Sequence, residues 1–99
     1  MQKYQPAETP KVRLDKWLWA ARFFKTRNLA NEAITGGKVQ VNRQHVKPAK
    51  EIHEGDELII RIGPIERTVI VQNLSKQRRS APEAALLYEE TLDSIEKRE

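Results

Sequence analysis

The change of hydrophobic period between Thr26 and Asn42 constrains this chain more than any other feature. Leu29, Ala30, Ala33 and Ile34 recur at helical spacing, Gly36 and Gly37 intervene, and Lys38-Val39-Gln40-Val41-Asn42 then alternates strictly. Helix and strand follow each other within about five turns of chain and must share one core, so the fold class is α+β. Thr26 suits the helix N-cap, where its hydroxyl accepts from a first-turn N–H. The glycines suit the other end, because glycine enters the left-handed conformation of a helix terminus at little cost. Val39 and Val41 should face the core, and Lys38, Gln40 and Asn42 should point outward.

Upstream, Leu14, Trp17, Leu18, Ala21 and Phe24 share one side of a first helix that starts near Arg13. Trp19 and Phe23 lie on its more polar side. Later elements are expected to cover them, since large exposed aromatics are uncommon on a monomer; base stacking is the alternative. Asn42, Arg43 and Gln44 resemble a turn, and Pro48 marks an edge or loop segment. Glu54-Gly55-Asp56 forms the next turn, before a strand with Leu58, Ile60 and Ile62 on one side. Gly63-Pro64 reverses the chain into a second strand over roughly 65–74. Ser80 and Glu83 fit a capping box for a final helix that packs through Ala84, Tyr88, Leu92 and Ile95. The whole predicts two N-terminal helices on a small, mainly antiparallel sheet, plus a C-terminal helix. Residues 1–10 read as a flexible polar leader, 11–74 as the folded domain, and 75–99 as a basic loop followed by an acidic helix.

With 99 residues the chain fits one small domain. It has no cysteine, which excludes disulfides and thiolate metal sites. No apolar run approaches a membrane span and no signal-peptide pattern opens the chain, so the expected location is the cytoplasm. Charge is divided unevenly. Residues 1–50 hold 11 Lys/Arg against 3 Asp/Glu, whereas residues 51–99 hold 7 against 11. A basic half of this kind suits a polyanion partner, although a solvated charge run is the plainer alternative.

Position sharpens the choice. The positive end of the second helix emerges beside Lys25, Thr26 and Arg27, where a phosphate could be held. If the following hairpin folds beside the helices, Lys38, Arg43, Lys47 and Lys50 join Arg13, Lys16, Lys25 and Arg27 in one basic concavity. Glu89, Glu90, Asp93 and Glu96 of the last helix would repel a phosphate backbone and are expected to face away.

The run RLDKWLWAARFFKTRNLANEAITGGKVQVN, with its Leu-Asp opening, Arg-Phe-Phe junction, Thr-Arg helix start and downstream Gly-Asp turn, resembles the RNA-binding domain named after small-subunit ribosomal protein S-four. That resemblance implies the αL RNA-binding motif and contact through helix-start and hairpin residues. The candidate RNA-binding set is Arg13, Lys16, Arg22, Lys25, Thr26, Arg27, Lys38, Gln40, Asn42, Arg43, Lys47 and Lys50. Together with the segment ERTVIVQNLSKQRRSAPEAALLYEETLDSIEKRE, the chain also resembles the bacterial ribosome-associated heat-shock proteins of about fifteen kilodaltons. This implies ribosomal RNA of the large subunit as partner, with tRNA as a second. More narrowly, it implies binding to free large subunits that still carry nascent chain on tRNA, and a role in recycling them after heat stress. Members of that family commonly continue into a basic tail beyond the point where this sequence stops.

An enzyme is not expected. His45 and His53 lie eight apart without a converging ligand cluster, and Asp15 and Glu32 read as helix-end or salt-bridge partners rather than an acid and base pair. No metal, cofactor, small-molecule substrate or membrane partner is implied. The competing readings are a general structured-RNA or DNA binder and the binding module of an RNA-modifying enzyme; for DNA, an obvious recognition helix is missing.

Overall fold

The sheet is built outward from Val39 and Val41. In the computed structural model, which describes residues 10–98, Val39–Val41 forms the strand β2, and both valines are buried. Its elements in chain order are β1 (Val12–Arg13), α1 (Leu14–Ala20), α2 (Arg27–Thr35), β2, β3 (Gln44–His45), β4 (Glu51–Ile52), β5 (Glu57–Ile62) and β6 (Ile65–Val71). There follow a one-turn helix α3 (Ala81–Ala84) with a 3₁₀ turn at Ala85–Leu87, strand β7 (Tyr88–Glu90) and helix α4 (Leu92–Arg98). The main sheet runs β3-β2-β5-β6-β7, antiparallel throughout; β1 and β4 pair separately. The leader expected over 1–10 lies almost entirely outside the described residues. Among the described residues no helix is long and apolar enough to cross a membrane.

The turns follow from their residues. Asn42 and Arg43 both take positive φ, 51° and 68°, the pair of left-handed positions that a type I′ hairpin turn requires between Val41 and Gln44. Asn42 tolerates this well, and its side chain ties the turn to β5 by accepting from the Glu57 N–H at 3.0 Å. Gly63, at φ 59°, makes the tight β5–β6 turn between Ile62 and Ile65. The turn ending α2 places its positive φ at Gly37 rather than Gly36.

One face of the sheet carries Val39, Val41, Leu58, Ile60, Val69 and Val71, all buried, beneath Leu14, Trp17 and Leu18 of α1 and Ala30, Ala33 and Ile34 of α2. Each large aliphatic side chain buried in this way contributes about 1.5–3 kcal/mol. Trp17 is fully buried, and its indole N–H donates to the Asn73 carbonyl at 2.9 Å, so this core position leaves no polar group unpaired. Trp19 and Phe23 are half-buried, packed against the core and partly covered by later elements. Phe23 packs against Tyr88 with ring centroids 4.8 Å apart, and the Arg78 guanidinium lies over Trp19.

Several expectations need correction. α1 ends at Ala20, Arg22 takes a left-handed φ of 67°, and Phe24 therefore packs from the connecting loop instead of the helix. Leu29 and Ile62, expected inside, are 45% and 42% exposed. The second long strand stops at Val71. The continuous final helix is broken by β7, because the open edge of β6 takes Tyr88–Glu90 as a strand and Tyr88 reaches the Trp17–Phe23 cluster. Strand pairing and aromatic burial together override the helical propensity of the Ala-Leu-rich sequence. Ser80 makes no N-cap bond to the backbone; its hydroxyl lies 3.4 Å from the Glu83 carboxylate instead.

Candidate nucleic-acid interface

Thr26 sits where the sequence places it. Its Oγ1 accepts from the Leu29 N–H at 3.0 Å, and helix geometry leaves the first N–H groups of α2, those of Arg27 and Asn28, pointing out along the axis. The start of α1 is different. Leu14 N–H donates to the Lys50 carbonyl at 2.8 Å and Asp15 N–H to the Pro48 carbonyl at 3.2 Å. Its first free donors are thus consumed by the 47–50 turn, which sets the main chain of Pro48 and Lys50 against this helix end.

Asp15 joins the two helix starts. It is 1% exposed, receives Nε and Nη2 of Arg13 at 3.1 and 2.9 Å, lies 3.5 Å from Arg27 Nη2, and accepts from Asn31 Nδ2 at 3.2 Å. Burial works against ionisation, but the Arg13 hydrogen bond and the charges of Arg13 and Arg27 prevail and hold the carboxyl below its ordinary range. One internal carboxylate thereby orients two guanidiniums whose side chains remain 48% and 45% exposed. Two cations against one anion leave positive charge on the surface, with guanidinium donors still available to a phosphate.

The single concavity expected from the sequence divides into separate groups. Arg13 and Arg27 meet at the helix starts, with half-buried Lys16 on the first turn of α1 and the main chain of Lys50 bonded to that helix end, whereas Lys47 lines a hollow at the far end of α2 with Gly36, Gly37 and His45. Lys25 is exposed in the loop before Thr26. Lys38 and Gln40 lie on the sheet face opposite the buried valines and line a hollow of about 110 Å³ with Arg61 and Glu66. Arg43 is held by Glu57 at 3.1 Å, and Asn42 bonds Asp56 and Glu57, so this turn is largely neutralised from within. Arg22 turns to the other end of α1, where its Nε donates to the Arg79 carbonyl at 2.7 Å.

Two cations outside the expected set stand beside these groups. Arg61 shares the Lys38–Gln40 hollow, which the alternation of Glu57–Ile62 could have indicated. Arg78 reaches back to α1; the local sequence marks a basic loop there but carries no signal for that contact. Of the histidines, His53 lies 3.9 Å from Asp56, and among the described residues no group of His, Cys, Asp or Glu could hold a metal ion. The acidic C-terminal elements lie at the β7 edge of the sheet, opposite β3, where Glu90 is paired with Arg98.

Comparison with known proteins adds independent findings. Residues 12–58 match the S4 domain model. The chain is 62% identical over 88 residues to heat shock protein 15 of Escherichia coli (strain K12), an alignment covering 89% of this chain and 66% of that protein. The chain thus spans just under two thirds of that relative's length. It is 41% identical over 78 residues to the RQC P-site tRNA stabilizing factor of Halalkalibacterium halodurans, covering 79% of this chain and 88% of the relative. A structure described as the trimeric structure of Vibrio cholerae heat shock protein 15 superposes with a TM-score of 0.87 at 54% identity, covering 90% of each chain.

Proposed function

This chain belongs to the S4-domain family and, within it, to the heat shock protein 15 group, and from that premise we propose that it binds ribosomal RNA. The observation that carries this reading is the Asp15 junction, which fixes Arg13 and Arg27 side by side at the helix starts. Such a surface recognises the shape and phosphates of folded RNA more than a base sequence. Residues 11–74 form the RNA-binding domain in this reading. The candidate contacts are those named from the sequence, with the Arg13–Arg27 pair as their centre. Its role in this reading is binding, which is supported by a relative named as a tRNA stabilizing factor.

The finer reading is attachment to free large ribosomal subunits that carry nascent chain on tRNA, and rescue of those subunits after heat stress. It is supported by relatives named for stabilising a P-site tRNA. Titration of protein-free large-subunit RNA tests the first claim. Arg27→Gln should weaken binding and lower the salt slope by about one; an unchanged slope and affinity would reject the proposed centre. Equal titration of duplex DNA would favour a general polyanion binder. Sucrose-gradient cosedimentation tests the second claim: enrichment on free large subunits is expected, and equal occupancy of whole ribosomes counts against it.

A further inference from the structure

The basic loop at 75–80 is fastened to the α1–α2 junction by contacts that do not use up its charge. Arg78 Nη1 donates to two main-chain carbonyls, Trp19 at 2.6 Å and Phe24 at 3.0 Å, while its guanidinium lies 5.7 Å from the Trp19 ring centre. From the other side, Arg22 donates to the Arg79 carbonyl at 2.7 Å. Within the loop, the Gln77 N–H donates to Ser75 Oγ at 3.2 Å and Arg79 Nη2 to Gln77 Oε1 at 2.8 Å. All these acceptors are uncharged.

Arg13, Arg27 and Arg43 each have a carboxylate partner, whereas among the described residues Arg22, Lys25, Lys76, Arg78 and Arg79 have none within ion-pair distance, a state that Lys16, Lys47 and Lys50 share. Lys76 and Arg79 line one open groove of about 610 Å³, with Glu83 the acidic residue on its wall. Arg22 touches Arg79 through its carbonyl, and Lys25 directly follows Phe24, whose carbonyl Arg78 holds. Uncompensated cations, held together on a tethered loop, suit a repeated anion more than a single carboxylate.

We propose that the 75–80 loop is a second RNA contact, in which Lys76 and Arg79, beside Arg22 and Lys25, meet the phosphate backbone and Arg78 positions the loop. The proposal rests on the RNA-binding reading above and extends it beyond the S4-matched segment 12–58.

The test is a salt titration of protein-free large-subunit RNA with wild type, Arg27→Gln, the pair Lys76→Glu/Arg79→Glu, and Arg78→Lys, each checked for an unchanged melting midpoint. The double variant should bind about ten-fold more weakly near 0.15 M salt, its slope reduced by about one per lost contact. Arg78→Lys keeps the charge but loses the planar guanidinium over Trp19 and the placement of the one nitrogen that bonds both carbonyls. Its slope should move toward that of the double variant, and a slope identical to wild type would remove the positioning role. If Arg27→Gln weakens binding while the double variant matches wild type, the second contact is refuted and the RNA-binding reading stands. If wild type binds no RNA, both fall. If the double variant loses binding only to intact subunits and not to stripped RNA, the loop meets a ribosomal protein and the proposal is overturned.

Discussion

Arg27 Nη2 lies 3.5 Å from Asp15 Oδ1, and Arg13 takes the other oxygen of the same carboxylate at 2.9 Å. This small triad explains how a short chain can concentrate cations without losing its fold. An anion buried beneath the two guanidiniums offsets their mutual repulsion and fixes their direction, while their outer donors stay in solvent. The same residue therefore serves packing, helix positioning and the electrostatics of the surface.

Replacing Asp15 should expose that dependence. Asp15→Asn keeps the shape but removes the charge, leaving Arg13 and Arg27 to repel each other. We expect a loss of about 1–3 kcal/mol, below the range for a fully buried pair because both guanidiniums are partly solvated. The pH dependence has a definite sign. The folded pKa is below the ordinary value of 3.8, so the carboxylate's contribution is complete above that value and is lost as pH falls through the lower folded pKa. Urea denaturation should show the variant's deficit at pH 7 shrinking towards pH 2–3; a deficit independent of pH would contradict this account.

Thr26→Ala should cost about 1 kcal/mol, because it leaves the Leu29 N–H without its acceptor at an exposed helix start. Thr26→Ser should recover most of the loss. A thermal midpoint lowered by several degrees for alanine and nearly restored for serine is the expected pattern for a domain of this size. Equal midpoints for all three would show that the cap contributes nothing.

The parts of the fold that could be read from the sequence are those governed by local rules. The Thr26 cap, the Val39–Val41 alternation and the Gly63-Pro64 reversal depend on residues within a few positions of each other, and each formed. Leu29, Ile62 and the final helix failed because their fate rests on distant partners. Nothing near Tyr88 says that β6 has an open edge or that Phe23 waits 4.8 Å away. The candidate site divides likewise. Its cations and the outward face of Gln40 were visible in the sequence, but the pairing of Arg43 with Glu57, fourteen positions along, needed the assembled sheet. Arg78 lies 59 residues from Trp19, beyond any local pattern.

Trp17 is the point where the first helix meets the C-terminal half. It is fully buried, stacks beside Phe23, meets Tyr88 edge-on and donates to Asn73 O. Trp17→Phe should cost about 2–3 kcal/mol, from the void left by the smaller ring and from a carbonyl deprived of its donor. Denaturation midpoints read this loss, and Trp19, the other tryptophan, remains as the fluorescent probe. A cost under about 0.5 kcal/mol would mean that water or a shifted backbone satisfies Asn73.

Ser94 offers the cleanest test of how the C-terminal helix is held. It is 4% exposed; its Oγ accepts the Thr68 N–H at 2.9 Å and donates to Glu90 Oε2 at 2.7 Å, while Arg98 grips Glu90 at 2.6 and 3.1 Å. Ser94→Ala removes both Oγ bonds and leaves a strand N–H facing a methyl group, so a cost of about 1–2 kcal/mol is expected. Burial works against ionisation of Glu90, but the Arg98 and Ser94 hydrogen bonds outweigh it and hold the carboxyl below its ordinary range. Its stabilisation is therefore present above the ordinary value of 4.5 and is lost as pH falls through the lower folded pKa. Glu90→Gln should accordingly be less stable than wild type at pH 7 and close to it near pH 2–3, whereas Ser94→Ala should keep most of its deficit at both, since the Thr68 N–H does not titrate. Amide exchange at Thr68 checks the mechanism directly: it should accelerate in Ser94→Ala, and protection equal to wild type would show that the serine is not what holds β6 to α4.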